Sequence, residues 1–304
     1  MILSNKNLSN KKILNYGSLN IDEVFSVPHF VRPGETLACK SMTRFTGGKG
    51  LNQSVALAKA GADVLHLGAV GADGQFLVDA LRFAGADTSA ILKTDTPTGR
   101  AVIEVDESGQ NRILLLPGAN AEFVPDHILK TLDFLSPGDW LLTQNETANV
   151  GFVLFEAKKR GLHTAFNPSP FDPSILSLPL ECVDLFFVNE VEGEALSGEK
   201  DPNKMVSALL ARFPDAKIVL TLGADGSLYA DKNTRFRQNA FPVKVEDTTA
   251  AGDTFTGFFL ASMMQGKPVE ECMRLASTAS AIAVSRKGAA PSIPTKAEVE
   301  AFEK

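Results

Sequence analysis

Short, mostly apolar runs alternate along the chain with longer stretches in which apolar residues recur every three or four positions. The runs at 13–16, 64–67, 140–143, 164–166, 185–188 and 218–221 end at turn residues, as strands buried on both faces do. Between them, 52–60, 74–83, 150–160, 191–196 and 202–212 carry helical periodicity. This alternation predicts an α/β fold: a doubly wound, mainly parallel sheet flanked by helices. No internal repeat, low-complexity tract or long linker interrupts it, so a single domain over residues 1–304 is expected.

Two segments break the rhythm, 24–45 and 99–116, and both read as β-rich excursions. In the second, Ala101-Val102-Ile103-Glu104-Val105 turns at Glu107-Ser108-Gly109 and returns as Arg112-Ile113-Leu114-Leu115-Leu116, a hairpin signal. Such insertions are expected to form a small sheet, a β-lid, over the carboxyl edge of the main sheet, where ligands bind in open α/β folds. The hairpin's apolar alternation would also suit pairing with a second copy, giving a homodimer through the lid.

Composition narrows the function classes. With 44% hydrophobic residues the chain can bury a large core, and its net charge of -6 argues against a protein that gains affinity by neutralising nucleic-acid phosphates. Cys39, Cys182 and Cys272 show no metal or CxxC spacing and read as free thiols of a reducing compartment. His29, His66, His127 and His163 have no ligand-like spacing either. The opening residues are polar, without the apolar core of a leader, and no run approaches the roughly 20 residues of a membrane span. A soluble, cytoplasmic protein with no nucleic-acid or membrane partner is expected.

The chemistry concentrates in two glycine motifs. Late in the chain, Asp247-Thr248-Thr249-Ala250-Ala251-Gly252-Asp253-Thr254-Phe255-Thr256-Gly257 runs into an apolar helix at 258–265. Small residues before a helix let backbone N–H groups approach a phosphate, and the helix dipole adds positive potential there. A carboxylate at that spot repels the phosphate that the turn attracts. Asp253 therefore reads either as a simple cap of the first turn or as a general base beside a transferring phosphoryl group. No GxxxxGK[ST] loop and no GxGxxG follows a strand, so any nucleotide is held by another device.

Early in the chain, Gly47-Gly48-Lys49-Gly50-Leu51-Asn52-Gln53-Ser54 leads into a helix. Its glycines permit close ligand contact, while Lys49 and Asn52 can donate to hydroxyls or phosphates; an ordinary glycine turn is the alternative. Asn20 and Asp22, two apart in an extended segment, point to one side and suit vicinal hydroxyls, or else form an Asx turn.

Together these motifs, in this order and separation, resemble the two signatures of the PfkB carbohydrate kinases, the ribokinase-like superfamily. The resemblance runs through Pro33-Gly34-Glu35-Thr36, Leu116-Pro117-Gly118-Ala119-Asn120, Phe166-Asn167-Pro168-Ser169-Pro170, Val188-Asn189-Glu190-Val191-Glu192, Thr221-Leu222-Gly223-Ala224-Asp225-Gly226 and Arg286-Lys287-Gly288-Ala289-Ala290-Pro291-Ser292. It implies ATP-dependent phosphorylation of a pentose, D-ribose to its 5-phosphate, with 2-deoxyribose, another sugar or a nucleoside as alternative acceptors. A catalytically silent sugar sensor is the reading from a different class.

By the same resemblance Asp253 is the base, and the N–H groups of Ala250, Ala251 and Gly252 form the anion hole. Asn20, Asp22, Gly48, Lys49, Asn52 and Glu146 grip the sugar together with Asp253. Asn189, Thr221, Gly223, Gly226 and Gly252 bind ATP. Glu192 serves Mg²⁺ through water, and Asp247, Thr249, Ala283, Arg286, Gly288 and Ser292 surround a monovalent cation, K⁺. Asn145 departs from the pattern, which has an apolar residue there.

Overall fold

The computed structural model of the chain describes residues 11–122 and 124–302. The polar opening read above as lacking a leader core lies mostly in residues 1–10, outside the described residues.

In chain order, β1 (Lys12–Tyr16), β2 (Asn20–Ser26) and β3 (Ser41–Gly47) precede α1 (Lys49–Lys59), β4 (Asp63–Val70), α2 (Gln75–Ala84) and β5 (Ile91–Lys93). The hairpin β6 (Gly99–Val105) and β7 (Asn111–Leu116) leads to α3 (Pro125–Leu132), β8 (Trp140–Gln144), α4 (Val150–Lys159) and β9 (His163–Asn167). Next come β10 (Leu185–Asn189), α5 (Glu190–Ser197), α6 (Pro202–Arg212), β11 (Lys217–Thr221), β12 (Ser227–Ala230) and β13 (Arg235–Gln238). The helices α7 (Ala251–Met264), α8 (Val269–Val284) and α9 (Lys296–Phe302) close the chain.

Nine strands form the main sheet in the order β13-β12-β11-β10-β9-β8-β1-β4-β5. Neighbours pair in parallel except β12, which is antiparallel to both β11 and β13. The six apolar runs seen in the sequence are its central strands, and two apolar clusters cover its faces. One cluster packs α1, α7 and α8 against one face; the other packs α3, α4 and α6 against the opposite face.

The smaller sheet has the order β3-β2-β6-β7. The expected excursion over 24–45 resolves differently in detail: it begins at Asn20, and residues 27–40 between β2 and β3 carry no strand. Asn20 and Asp22 thus lie on β2 itself, two apart and on one face, with Asn20 paired to Gly47 and Gly99. On β7 every residue is exposed, including the consecutive Ile113, Leu114, Leu115 and Leu116.

Two helices start earlier than periodicity indicated. The helix read as 258–265 begins at Ala251, which places Asp253 in its first turn. Gly252, Thr254 and Gly257 are weak helix formers, but tertiary packing overrides them: a Cβ on Gly257 would lie 2.4 Å from the Ala56 Cβ of α1. Likewise α1 begins at Lys49 rather than Asn52, because Gly48 turns the chain with φ +94° and Leu51 N–H bonds to Ser18 O.

Candidate active site

Five strands of the main sheet end side by side, and each delivers polar residues at its carboxyl end. β1 runs into Gly17 and Ser18, β8 ends at Gln144 just before Glu146, and β9, β10 and β11 end at Asn167, Asn189 and Thr221. That is where ligands bind in open α/β sheets. Above this edge stand the N-termini of α1 and α7, and the small sheet rises beside it.

Asp253 is 6% exposed, on the third residue of α7. Its Oδ2 accepts Asn52 Nδ2 at 3.0 Å and its Oδ1 accepts Gln53 Nε2 at 2.9 Å. Ala250 precedes the helix in the left-handed region at φ 60°, turning the first N–H groups of α7 toward the open edge. Ala251 N–H bends back to Thr248 O at 3.3 Å; the first-turn N–H of Gly252 has no carbonyl within the helix to bond. A Cβ added to Gly252 would meet nothing within 4 Å.

That turn separates two compartments. A cavity of 510 Å³ is lined on one side by Thr221, Gly223 and Gly226 and on the other by Ser277, Ser280 and Ala281 of α8, with Ala240, Phe241 and Pro242 between. A polar cavity of 220 Å³ holds Lys49, Asn167, Asn189, Glu192 and Asp253. Thr221, Thr248, Ala251 and Gly252 line both. The nucleotide residues expected from the sequence therefore divide, Gly223 and Gly226 in the larger cavity and Asn189 in the polar one. The apolar wall from 240–245 and α8 was not anticipated, because its residues carry no motif.

On the other side of Lys49 the carboxylates cluster. Glu146 Oε2 accepts the Ser18 hydroxyl at 2.5 Å and the Lys49 N–H at 3.0 Å. Burial pushes the Glu146 carboxyl above its ordinary pKa, against the pull of the Lys49 charge and these two donors. Burial works against the Lys49 ammonium too, yet Asp253, Glu146 and Glu192 together hold its pKa above normal. Asp22 is raised to about 7, by burial first and by the Glu146 charge second. Asn20, Glu146 and the end of β7 line a further cavity of 360 Å³.

Glycine is required where these parts touch. A Cβ on Gly50 would stand 2.3 Å from the Gly17 carbonyl carbon, so α1 can begin only pressed against the end of β1. A Cβ on Gly47 would strike Asp22 Oδ1 at 2.0 Å.

Sequence reasoning missed several supporting residues. Asn120 donates to Asn20 Oδ1 at 2.7 Å and accepts Leu19 N–H, which fixes the Asn20 amide. Ser18, Gln53, Gln144 and Asn167 all bond to expected site residues or to one another. Gln53 and Asn167 lie inside quoted motifs, which was the available signal. Asn145 donates to Pro170 O and to Asp172, tying the segment after β9 to the residue next to Glu146.

Glu192 and Asn189 form a reciprocal capping box at the start of α5. Glu192 is 4% exposed, and both its oxygens accept from Asn189. This donor set fits a divalent ion reached through water better than a direct ligand. Among the described residues no cluster of three acids, histidines or cysteines is assembled for a metal. Asp247 draws two loops together: it accepts the Thr249 N–H and hydroxyl on Oδ1 and the Gly288 N–H on Oδ2. Burial opposes that charge, but these donors prevail and hold its pKa below normal. Ser292 instead donates to Ala289 O, Ala283 O accepts Arg286 N–H, and the Arg286 side chain turns to Glu298. The expected cation residues thus fall into separate groups: Asp247 joins Thr249 to Gly288, Ala283 bonds to Arg286, and Ser292 bonds to neither group.

A buried carboxylate beside helix N–H groups, set between a nucleotide-sized cavity and a hydroxyl-binding pocket, defines a phosphotransferase acting on an alcohol. Residues 10–296 match the model of the pfkB family carbohydrate kinases, and the chain belongs to that family. It is 37% identical to the ribokinase of Haemophilus influenzae over 94% of this chain and 96% of that one. Among solved structures, the ribokinase of Cryptococcus neoformans in complex with ADP superposes with a TM-score of 0.85 at 33% identity, covering 96% of this chain and 99% of that one. The ribokinase of Arabidopsis thaliana complexed with ribose and ATP gives a TM-score of 0.87 at 29% identity, covering 97% and 99%.

Proposed function

We propose that this carbohydrate kinase transfers the γ-phosphoryl group of ATP to the primary hydroxyl of D-ribose, forming D-ribose 5-phosphate and ADP. The observation that carries the reading is the place of Asp253, in the first turn of α7 where the two compartments share Thr248, Ala251 and Gly252.

ATP lies with its base in the 510 Å³ cavity and its phosphates over the first turn of α7, where the Gly252 N–H and the helix dipole stabilise charge on the transferring group and the long 3.3 Å bond of the Ala251 N–H to Thr248 O yields to it. Ribose sits between Asn20, Asp22, Gly48, Asn52 and Glu146, where carboxylates accept and amides donate. Asp253 takes the proton of the attacking hydroxyl as the new O–P bond forms and the bond to the leaving ADP oxygen breaks. Lys49, held charged among three carboxylates, neutralises the phosphoryl oxygens. Asn189 and Glu192 would hold Mg²⁺ through its waters, and the ion would supply charge neutralisation to the phosphates. K⁺ would sit beside the anion hole, on the loops that Asp247 joins to Thr249 and Gly288.

Two coarser features complete the reading. The small sheet acts as a lid, and its exposed apolar β7 pairs with a second copy to give a homodimer. Unpaired Cys39, Cys182 and Cys272 suit a reducing cytoplasm.

ADP release, measured with Mg²⁺ and K⁺ against ribose, 2-deoxyribose, fructose and adenosine, tests the assignment, with the product position read by phosphorus NMR. Ribose as the preferred acceptor with a 5-phosphate product is expected. Preference for another acceptor, or ribose binding without turnover, contradicts it.

A further inference from the structure

Behind Asp253 lies a chain of buried amides that the transfer step itself does not use. Asn15 on β1 and Gln53 on α1 are fully buried, and Gln144 at the end of β8 nearly so. Asn15 Nδ2 donates to Gly50 O and to Ser54 Oγ, both at 2.8 Å. Gln144 Nε2 donates to Asn15 Oδ1 at 2.9 Å and to Gln53 Oε1 at 2.7 Å. Gln53 Nε2 in turn donates to Asp253 Oδ1 at 2.9 Å and to Asn167 Oδ1 at 3.1 Å.

The sense of this chain is fixed at both ends by backbone carbonyls. Gly50 O accepts only, so the Asn15 amide nitrogen must face it and Oδ1 must face Gln144. Phe187 O accepts Asn167 Nδ2, so the Asn167 oxygen must face Gln53. Gln53 is left with one arrangement: its oxygen toward Gln144 and both amide protons toward Asn167 and Asp253. At the far end Ser54 Oγ accepts from Asn15 and shares a hydrogen bond of 2.8 Å with His66 Nδ1. Burial lowers the His66 pKa to about 4, which keeps the ring neutral.

Core stability does not account for the arrangement. Buried amides cost more than apolar residues of the same size unless fully paired, and Gln144 Oε1 has no partner. What the chain does achieve is a fixed donor on Asp253 Oδ1.

We propose that Gln53 is a positioning residue for the catalytic base, its amide locked by Gln144 and Asn15 so that it holds Asp253 Oδ1 and directs the remaining lone pair of Oδ2, which also accepts Asn52 Nδ2, to the substrate proton. The inference rests on Asp253 being the base, and Gln53 itself is fully buried and lines none of the three cavities around it.

Gln53→Met keeps the length and removes the donor; Gln144→Met releases the lock from behind. Both are compared with the intact protein for Tm, for ribose and ADP affinity by calorimetry, and for kcat and KM. Gln53→Met is expected to lower kcat by about 10- to 100-fold, as for loss of a bond to a charged group, with ribose and ADP affinities within about twofold. Gln144→Met is expected to show the same split, less severely. Gln53→Glu is expected to regain kcat relative to the intact protein as the pH falls, where a protonated carboxyl again donates to Asp253; Asp22 at about 7, the raised Glu146 and the Lys49 charge act in both proteins and cancel in that ratio.

A folded Gln53→Met with wild-type kcat, or a kcat loss matched by equal loss of ribose affinity, overturns the proposal and leaves the kinase reading intact. Should Gln53→Met fail to fold, an unaltered kcat in Gln144→Met overturns it. If the intact protein turns over no acceptor, the reading of Asp253 falls first and the proposal with it.

Discussion

Lys49 donates its backbone N–H to Glu146 Oε2 at 3.0 Å, so the first residue of α1 and the loop after β8 share one carboxylate oxygen. The Ser18 hydroxyl takes the same oxygen, and the other stays available to a ligand hydroxyl. Glu146→Ala is therefore expected to raise the ribose KM by about 10- to 100-fold, the value of a hydrogen bond to a charged group. The ATP KM should change little, and steady-state kinetics with each substrate varied in turn checks the split.

Asp22 titrates near 7 in the free protein because burial and Glu146 disfavour its charge. Sugar hydroxyls donate to the ionised form, so ribose binding expels a proton below that pH. Ribose affinity should hold steady above about pH 7 and weaken below it, by at most about tenfold per unit. Calorimetric titrations across that range check this, and Asp22→Asn should flatten the dependence.

Gly252 lies in the first turn of α7 with open space where a Cβ would stand, and that space belongs to both cavities. Gly252→Ala should stabilise the helix by about 0.5–1 kcal/mol and raise Tm. The same methyl obstructs the phosphate path, so kcat/KM for ATP should fall by about tenfold or more. A rise in both stability and activity would contradict the path.

Much of this site was legible as sequence. The six central strands are mostly apolar runs buried on both faces, and such runs announce themselves. Asp253, Lys49 and Asn52 stand in motifs whose residue types already suggested phosphate and hydroxyl chemistry, whereas Glu146 came only through the family resemblance. What escaped was held by distant contacts. β12 and β13 are short and half polar, and residues 240–245 line a cavity only because α8 faces them. The true start of α7 depends on Gly257 packing against Ala56, which no local propensity reveals. Gln144 and Asn15 look like ordinary strand residues until their amides are traced to Asp253.

β7 exposes Ile113 and Leu114 on opposite faces of the small sheet. If the lid pairs with a second copy, replacing both with Asp should shift sedimentation from dimer to monomer. ATP affinity, set by the cavity between Thr221, Gly223, Gly226 and α8, should be unchanged.

The most direct test of the account is phosphoryl transfer by Asp253→Asn, which keeps the shape of the side chain and removes the base. Ribose should still bind while kcat falls by about 100- to 10,000-fold, the contribution of a positioned general base. A kcat within tenfold of the intact protein would show that Asp253 only caps its helix.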